Sequence, residues 1–185
     1  MPNHCVNHVK LSGLDGRVVE EIVTAFHDED EKFSLLEYFR PMPEHTRNTT
    51  VGTSGHSYED EDGWYGWSIK NWGTKWGDYE TELISHGRHE VEFQFESAWS
   101  PPQAFYDYLT NELGINVLAA FCEYGVGYVG YYEDGVMRTY DWDEVVQSIP
   151  EYSAKEYDED VMINARNEFI RSRVGLEMHD AGMGG

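Results

Sequence analysis

Basic residues are scarce in this chain of 185 residues, where 13 lysines and arginines face 35 aspartates and glutamates for a formal charge of −22. Duplex DNA carries one negative charge per about 1.7 Å and repels such a chain unless its cations share one groove. They are instead spread from Lys10 to Arg173, which argues against direct DNA binding, and the same sign argument disfavours an anionic membrane. Cysteine is nearly absent. Cys5 and Cys122 give no disulfide framework and no CxxC metal or redox pair, which points to a reducing cytoplasm. No run of 18 apolar residues and no basic-then-apolar leader occurs, so neither a membrane span nor export is expected. A Walker loop, a Gly-x-Ser-x-Gly elbow and a Ser-His-Asp arrangement are missing too, and no catalytic residue is expected.

What is present is apolar and aromatic. Hydrophobic residues make up 40% and aromatics 15%, unlike chains too polar to fold, and the length suits one domain with a core that needs no disulfide or metal. Residues 7–12 alternate as a half-buried strand, and Val18, Val19, Ile22, Val23 and Phe26 share one helical face. Residues 33–39 read as extended, closed by Pro41 and Pro43. Residues 44–63 are almost devoid of apolar side chains and are expected to form a mobile insertion. Two strands at 79–84 and 91–97 make a hairpin with Val91, Phe93 and Phe95 inward. Ser100 and Gln103 form an expected capping box opening a helix that buries Ala104, Phe105, Tyr108 and Leu109, and Ser153 with Glu156 forms another. Residues 116–124, 127–132 and 136–140 read as a meander turning at Asp134-Gly135.

This order gives the α+β class: a ferredoxin-like split βαβ antiparallel sheet with helices on one face, plus a C-terminal helical addition. One domain spans 1–175 and a flexible glycine-rich tail spans 176–185.

The aromatic block Trp64, Trp67, Asn71, Trp72 and Trp76, with Trp99 and Ser100 further on, has two readings. Stacked bases on aromatic rings contribute about 1–3 kcal/mol each, yet large aromatics usually pack a sheet against its helices. The structural reading is preferred. His4, Cys5 and His8 with His86 or His89 could meet at zinc, but a strand sets Cys5 on the face opposite the histidines, and no metal or cofactor is expected. Asp141, Asp143 and Glu144 fit no calcium loop, and Asp141 reads as a helix N-cap. Gly125, Gly127 and Gly130 lead into a strand, which fails the dinucleotide pattern and suits close packing.

Three segments carry a resemblance: Met-Pro-Asn-x-Cys-x-Asn at 1–7, Arg-Pro-Met-Pro-Glu at 40–44 with Trp-Tyr-x-Trp and Asn-Trp-Gly-Thr-Lys-Trp at 64–76, and Ala-Trp-Ser-Pro-Pro at 98–102. In order and spacing, over residues 1–135, the chain resembles the YubB ferredoxin-like family of phage and conjugative-plasmid proteins. It departs at His4, where that family usually shows tryptophan, and in its C-terminal helix and tail. The resemblance implies a ferredoxin-like fold in a mobile-element protein and brings no catalytic residues.

From residue 101 to 160 there are 13 acids and only Arg138 and Lys155 as bases. The functional expectation is an acidic phage or mobile-element accessory protein that inhibits a basic host defence or DNA-processing protein by DNA mimicry, in the host cytoplasm. Its partner-binding strip would comprise Glu133, Asp134, Asp141, Asp143, Glu144, Glu156, Asp158, Glu159 and Asp160. The alternatives are a module that binds RNA or single-stranded nucleic acid on its aromatic sheet face, and an acidic domain whose charge serves solubility alone. Sequence leaves the oligomeric state open.

Overall fold

In a computed structural model of the chain, residues 3–28, 32–49, 63–125, 127–153 and 159–178 are described. Their strands are β1 (His4–Ser12), β2 (Tyr79–His86), β3 (Glu90–Ala98), β4 (Asn116–Glu123), β5 (Tyr128–Glu133) and β6 (Val136–Asp141). Their helices are α1 (Gly16–Phe26), α2 (Leu35–Phe39), α3 (Glu44–Arg47), α4 (Trp64–Asn71), α5 (Gln103–Asn111), α6 (Trp142–Gln147) and α7 (Glu159–Val174). The fold is mixed α+β, with one antiparallel sheet in the order β2-β3-β1-β4-β5-β6. Among the described residues no helix is long and apolar enough to cross a membrane.

Strand alternation sets two faces. On the first, Val9 lies opposite Phe93 and Ala119, and Leu11 opposite Val91 and Val117. This face packs under Val19 and Ile22 of α1, Leu35 and Leu36 of α2, and Phe105, Tyr106 and Leu109 of α5. Each such side chain contributes about 1.5–3 kcal/mol on burial. Tyr106, rather than the expected Tyr108, completes the fully buried set, and its hydroxyl donates to Asn7 Oδ1 at 3.2 Å.

The second face corrects the one-sided expectation. Val6, Ala120, Cys122 and Val129 are covered there by Trp142, Val145 and Val146 of α6 and by Val161, Ala165, Phe169 and Ile170 of α7. The cause lies in β4, which is apolar in both directions, with Ala119 and Phe121 one way and Ala120 and Cys122 the other. Such a strand needs a layer on each side. Toward β3 this face turns polar: His4 bonds Glu96, His8 Nε2 donates to Glu92 Oε1 at 2.6 Å, and Lys10 Nζ donates to Glu90 at 3.0 Å.

Other expectations also change. Residues 35–39 are helical, not extended, because Asp78 reaches back to accept from Leu35 N and Leu36 N, both at 2.9 Å. Ser100 does not cap α5; that helix starts after Pro102, and the Ser100 hydroxyl donates to Gly73 O at 3.3 Å. Leu176 and Met178, placed in the tail, are buried in the second core. Within the expected insertion, Glu44–Arg47 form α3, while residues 50–62, the capping box completed at Glu156, and residues 179–185 lie outside the described residues.

Candidate functional site

The two tryptophan-bearing segments interlock. Trp72 is buried at the end of α4, its indole donating to Arg40 O at 3.0 Å, while its own carbonyl accepts from Phe105 N at 3.2 Å. Asn71 Nδ2 donates to Trp67 O at 2.9 Å, and the Thr74 hydroxyl donates to Ala98 O at 3.0 Å. Gly73 turns the chain at φ +84°, where an added Cβ would lie 2.8 Å from Ala104 N. Ser97 Oγ accepts from Asn7 Nδ2 at 2.8 Å and donates to Ser100 O at 2.7 Å. Trp64 and Trp67 are half-buried against the first core. Trp64, Trp67, Asn71, Trp72 and Ser100 are thus all engaged in packing or hydrogen bonds.

Trp76 and Trp99 behave differently. They are 39% and 43% exposed, with ring centroids 6.3 Å apart and planes 25° from parallel. Lys75 Nζ lies 4.8 Å from the Trp76 ring centre and 5.0 Å from that of Trp99, within cation–π range. Trp99 occupies the left-handed region at φ +65°, a conformation costing about 1–2 kcal/mol for a residue with a side chain. Two bonds offset that cost: Trp99 N donates to Asn3 O at 2.9 Å, and Tyr128 OH donates to Trp99 O at 2.7 Å. The strain holds a large aromatic in solvent, as functional positions often do. A cavity of about 220 Å³ opens beside Trp76, lined in part by Glu37, Arg47, Trp64 and Lys75.

Tyr128 connects this corner to acid. It is the cross-strand partner of Asp141, and Asp141 caps α6 in a capping box whose Glu144 carboxylate accepts from Asp141 N at 3.2 Å. Asp141, Asp143 and Glu144 are all exposed at the start of α6, and Tyr128 links them to the aromatic pair through its register with Asp141 and its bond to Trp99 O. Glu133 and Asp134 lie at the opposite end of β6, about 17 Å away at ordinary strand rise. Exposed Arg138 sits between the two groups, its guanidinium 5.5 Å from the Tyr131 ring centre. Glu159 and Asp160 are exposed at the start of α7, which packs on α6. Glu156 and Asp158 lie outside the described residues. Sequence reasoning missed Tyr128 as the link, because only cross-strand register puts it beside Asp141.

Burial pushes the Cys5 thiol far up, and Cys122 is buried with its sulfur accepting from Arg166 Nη1 at 3.7 Å, so neither is a ready nucleophile. Burial, then the Glu96 charge, pushes the Tyr79 hydroxyl up to about 12. Buried Glu123 accepts from Gly125 N at 2.8 Å and Gly127 N at 3.3 Å, closing the β4–β5 turn. His4 and His8 face carboxylates on the side of the sheet opposite Cys5, and His86 is at the far end of the β2–β3 hairpin. Among the described residues no three His, Cys, Asp or Glu side chains are grouped to hold a metal ion. In comparisons with known proteins, no family model matches the chain, and no curated protein or solved structure matches it.

Proposed function

We propose that the chain is an acidic accessory protein of a phage or plasmid, of the YubB kind, that acts in the host cytoplasm by occupying the nucleic-acid groove of a basic defence or DNA-processing protein. The observation that carries this reading is the corner where exposed Trp76 and Trp99 are linked through Tyr128 to Asp141, at the head of the capped helix that bears Asp143 and Glu144. Aromatics of this kind dominate interface hot spots, and carboxylates on a capped helix displace counterions from a cationic groove as phosphates do. The finer fold assignment belongs to the same proposal. Within the sheet, β2-β3-β1-β4 follows the split βαβ order of a ferredoxin-like domain, with α1 and α5 as its crossovers and β5, β6, α6 and α7 as additions.

The test is capture from host lysate on the immobilised chain, at low salt and at about 0.5 M salt, where charge attraction is screened. The expected result is a nucleic-acid-handling protein held at low salt, released at high salt, and lost with Asp141→Asn/Asp143→Asn/Glu144→Gln or with Trp76→Ala/Trp99→Ala. Failure to recover such a protein counts against the proposal.

A second reading rests on Lys75 between the two indoles: the same rings stacking bases of single-stranded nucleic acid. Quenching of tryptophan fluorescence by a single-stranded RNA at low salt, abolished by Trp76→Ala, would promote it.

A further inference from the structure

The end of the sheet remote from the tryptophan corner carries a second concavity. Between the first turns of α1 and the β2–β3 turn lies an open groove of about 780 Å³, lined by Arg17, Arg88, His86 and His89 with Val19 and Val23. That is within the usual 300–1,000 Å³ of small-ligand sites.

Its two arginines are unusual in this molecule. The other cations among the described residues are engaged: Lys10 with Glu90, Lys32 with Glu80, Arg47 with Glu37, Arg171 with Glu177, and Arg40 and Lys75 over aromatic rings. Arg138 and Arg173 also lie over rings, Arg166 is buried among bonded partners, and Lys70 is likewise engaged. Among the described residues Arg17 and Arg88 have neither an ion pair nor a side-chain hydrogen bond nor a ring contact. In a chain with 35 acids, these two guanidinium groups line one groove and are available to an outside anion.

The groove is also firmly built. Leu14 N donates to His89 O at 3.1 Å, and His89 Nδ1 donates to Leu14 O at 2.9 Å, tying the hairpin turn to the start of α1. At Gly16 an added Cβ would lie 3.3 Å from Arg88 O, so the walls are in close contact. Asp15 and Glu20 share the lining. The Asp15 carboxylate accepts from Arg17 N at 2.8 Å, and both it and Glu20, one turn beyond Arg17, oppose an anion.

We infer that this groove binds a small phosphate monoester, with the Arg17 and Arg88 guanidinium groups on the phosphate and the apolar part of the ligand against half-buried Val23. Guanidinium forks match phosphate oxygens two bonds at a time. Arg17 and Arg88 are both exposed, so their replacement leaves the fold intact.

Calorimetric titration of the whole chain with adenosine 5′-monophosphate, inorganic phosphate and adenosine tests the inference. The monophosphate is expected to bind at least about tenfold more tightly than adenosine, and Arg17→Ala or Arg88→Ala each to weaken it about tenfold or more. Glu20→Gln is expected to tighten it. Inorganic phosphate binding as well as the nucleotide, with the same loss in the arginine variants, keeps the phosphate site and removes the role of Val23. No binding of either phosphate probe in the millimolar range, or binding indifferent to both arginine variants, overturns it. The titration is independent of partner capture, since the two sites lie at opposite ends of β3, about 27 Å apart at ordinary strand rise.

Discussion

Gly130 lies in β5, where an added Cβ would overlap both Arg138 O and the Phe121 ring. The ring fills the space a side chain would need, so Gly130→Ala forces strand and ring apart. The expected loss is about 1–3 kcal/mol of unfolding free energy, read from chemical denaturation. Close packing at this glycine was legible in the sequence from its place in a strand; that Phe121 is the neighbour follows only from the β4–β5 register. Glu92 supplies a pH-dependent counterpart. Burial works against its ionised form, but hydrogen bonds from His8 and Ser85 and the charges of His8 and Lys10 outweigh it and hold the carboxyl below its ordinary 4.5. A depressed carboxyl adds stability that is complete above its unfolded value and lost as pH falls through the folded one. The stability advantage of the natural chain over Glu92→Gln is therefore expected above pH 4.5 and should shrink below it, as pH-dependent denaturation would show.

At the scale of elements, what sequence hid were bonds between distant residues. The helix α2 has a local cap in Ser34, yet its first amides are held by Asp78, 43 positions beyond Leu35, so a local pattern reads the segment as extended. Asp78→Ala leaves those amides without their acceptor and is expected to cost about 1–2 kcal/mol, with faster hydrogen exchange confined to Leu35–Phe39 and its surroundings. Conversely, α1, the β2–β3 hairpin and the β4–β5–β6 meander were legible because their periodicity is local and strong. The capping of α6 by Asp141 was legible for the same reason. The placement of α6 and α7 on the second face was foreshadowed by the two-sided apolarity of β4, a signal weaker than periodicity because antiparallel strands usually alternate.

Over the whole molecule, net charge gives sign and range but not address. Of the carboxylates singled out from sequence, Glu133 and Asp134 lie at the opposite end of β6 from Asp141, Asp143 and Glu144, Glu159 and Asp160 start α7, and exposed acids also occur on α1 and β2 and at Glu112 just past α5. What distinguishes Asp141, Asp143 and Glu144 is company: a capped helix, Tyr128 across the strand pair, and the strained, exposed Trp99 bonded to Tyr128. None of that neighbourhood can be read from spacing, since the links from Trp76 to Trp99, Trp99 to Tyr128 and Tyr128 to Asp141 exist only once the sheet forms. The partner's groove should then be shared between this corner and DNA. The most direct measurement titrates duplex DNA into the complex of the chain with its captured basic partner. DNA and chain are expected to displace one another, with Asp141→Asn/Asp143→Asn/Glu144→Gln displaced at a DNA concentration at least about tenfold lower. A stable ternary complex, or a triple variant that competes as well as the natural chain, would contradict it.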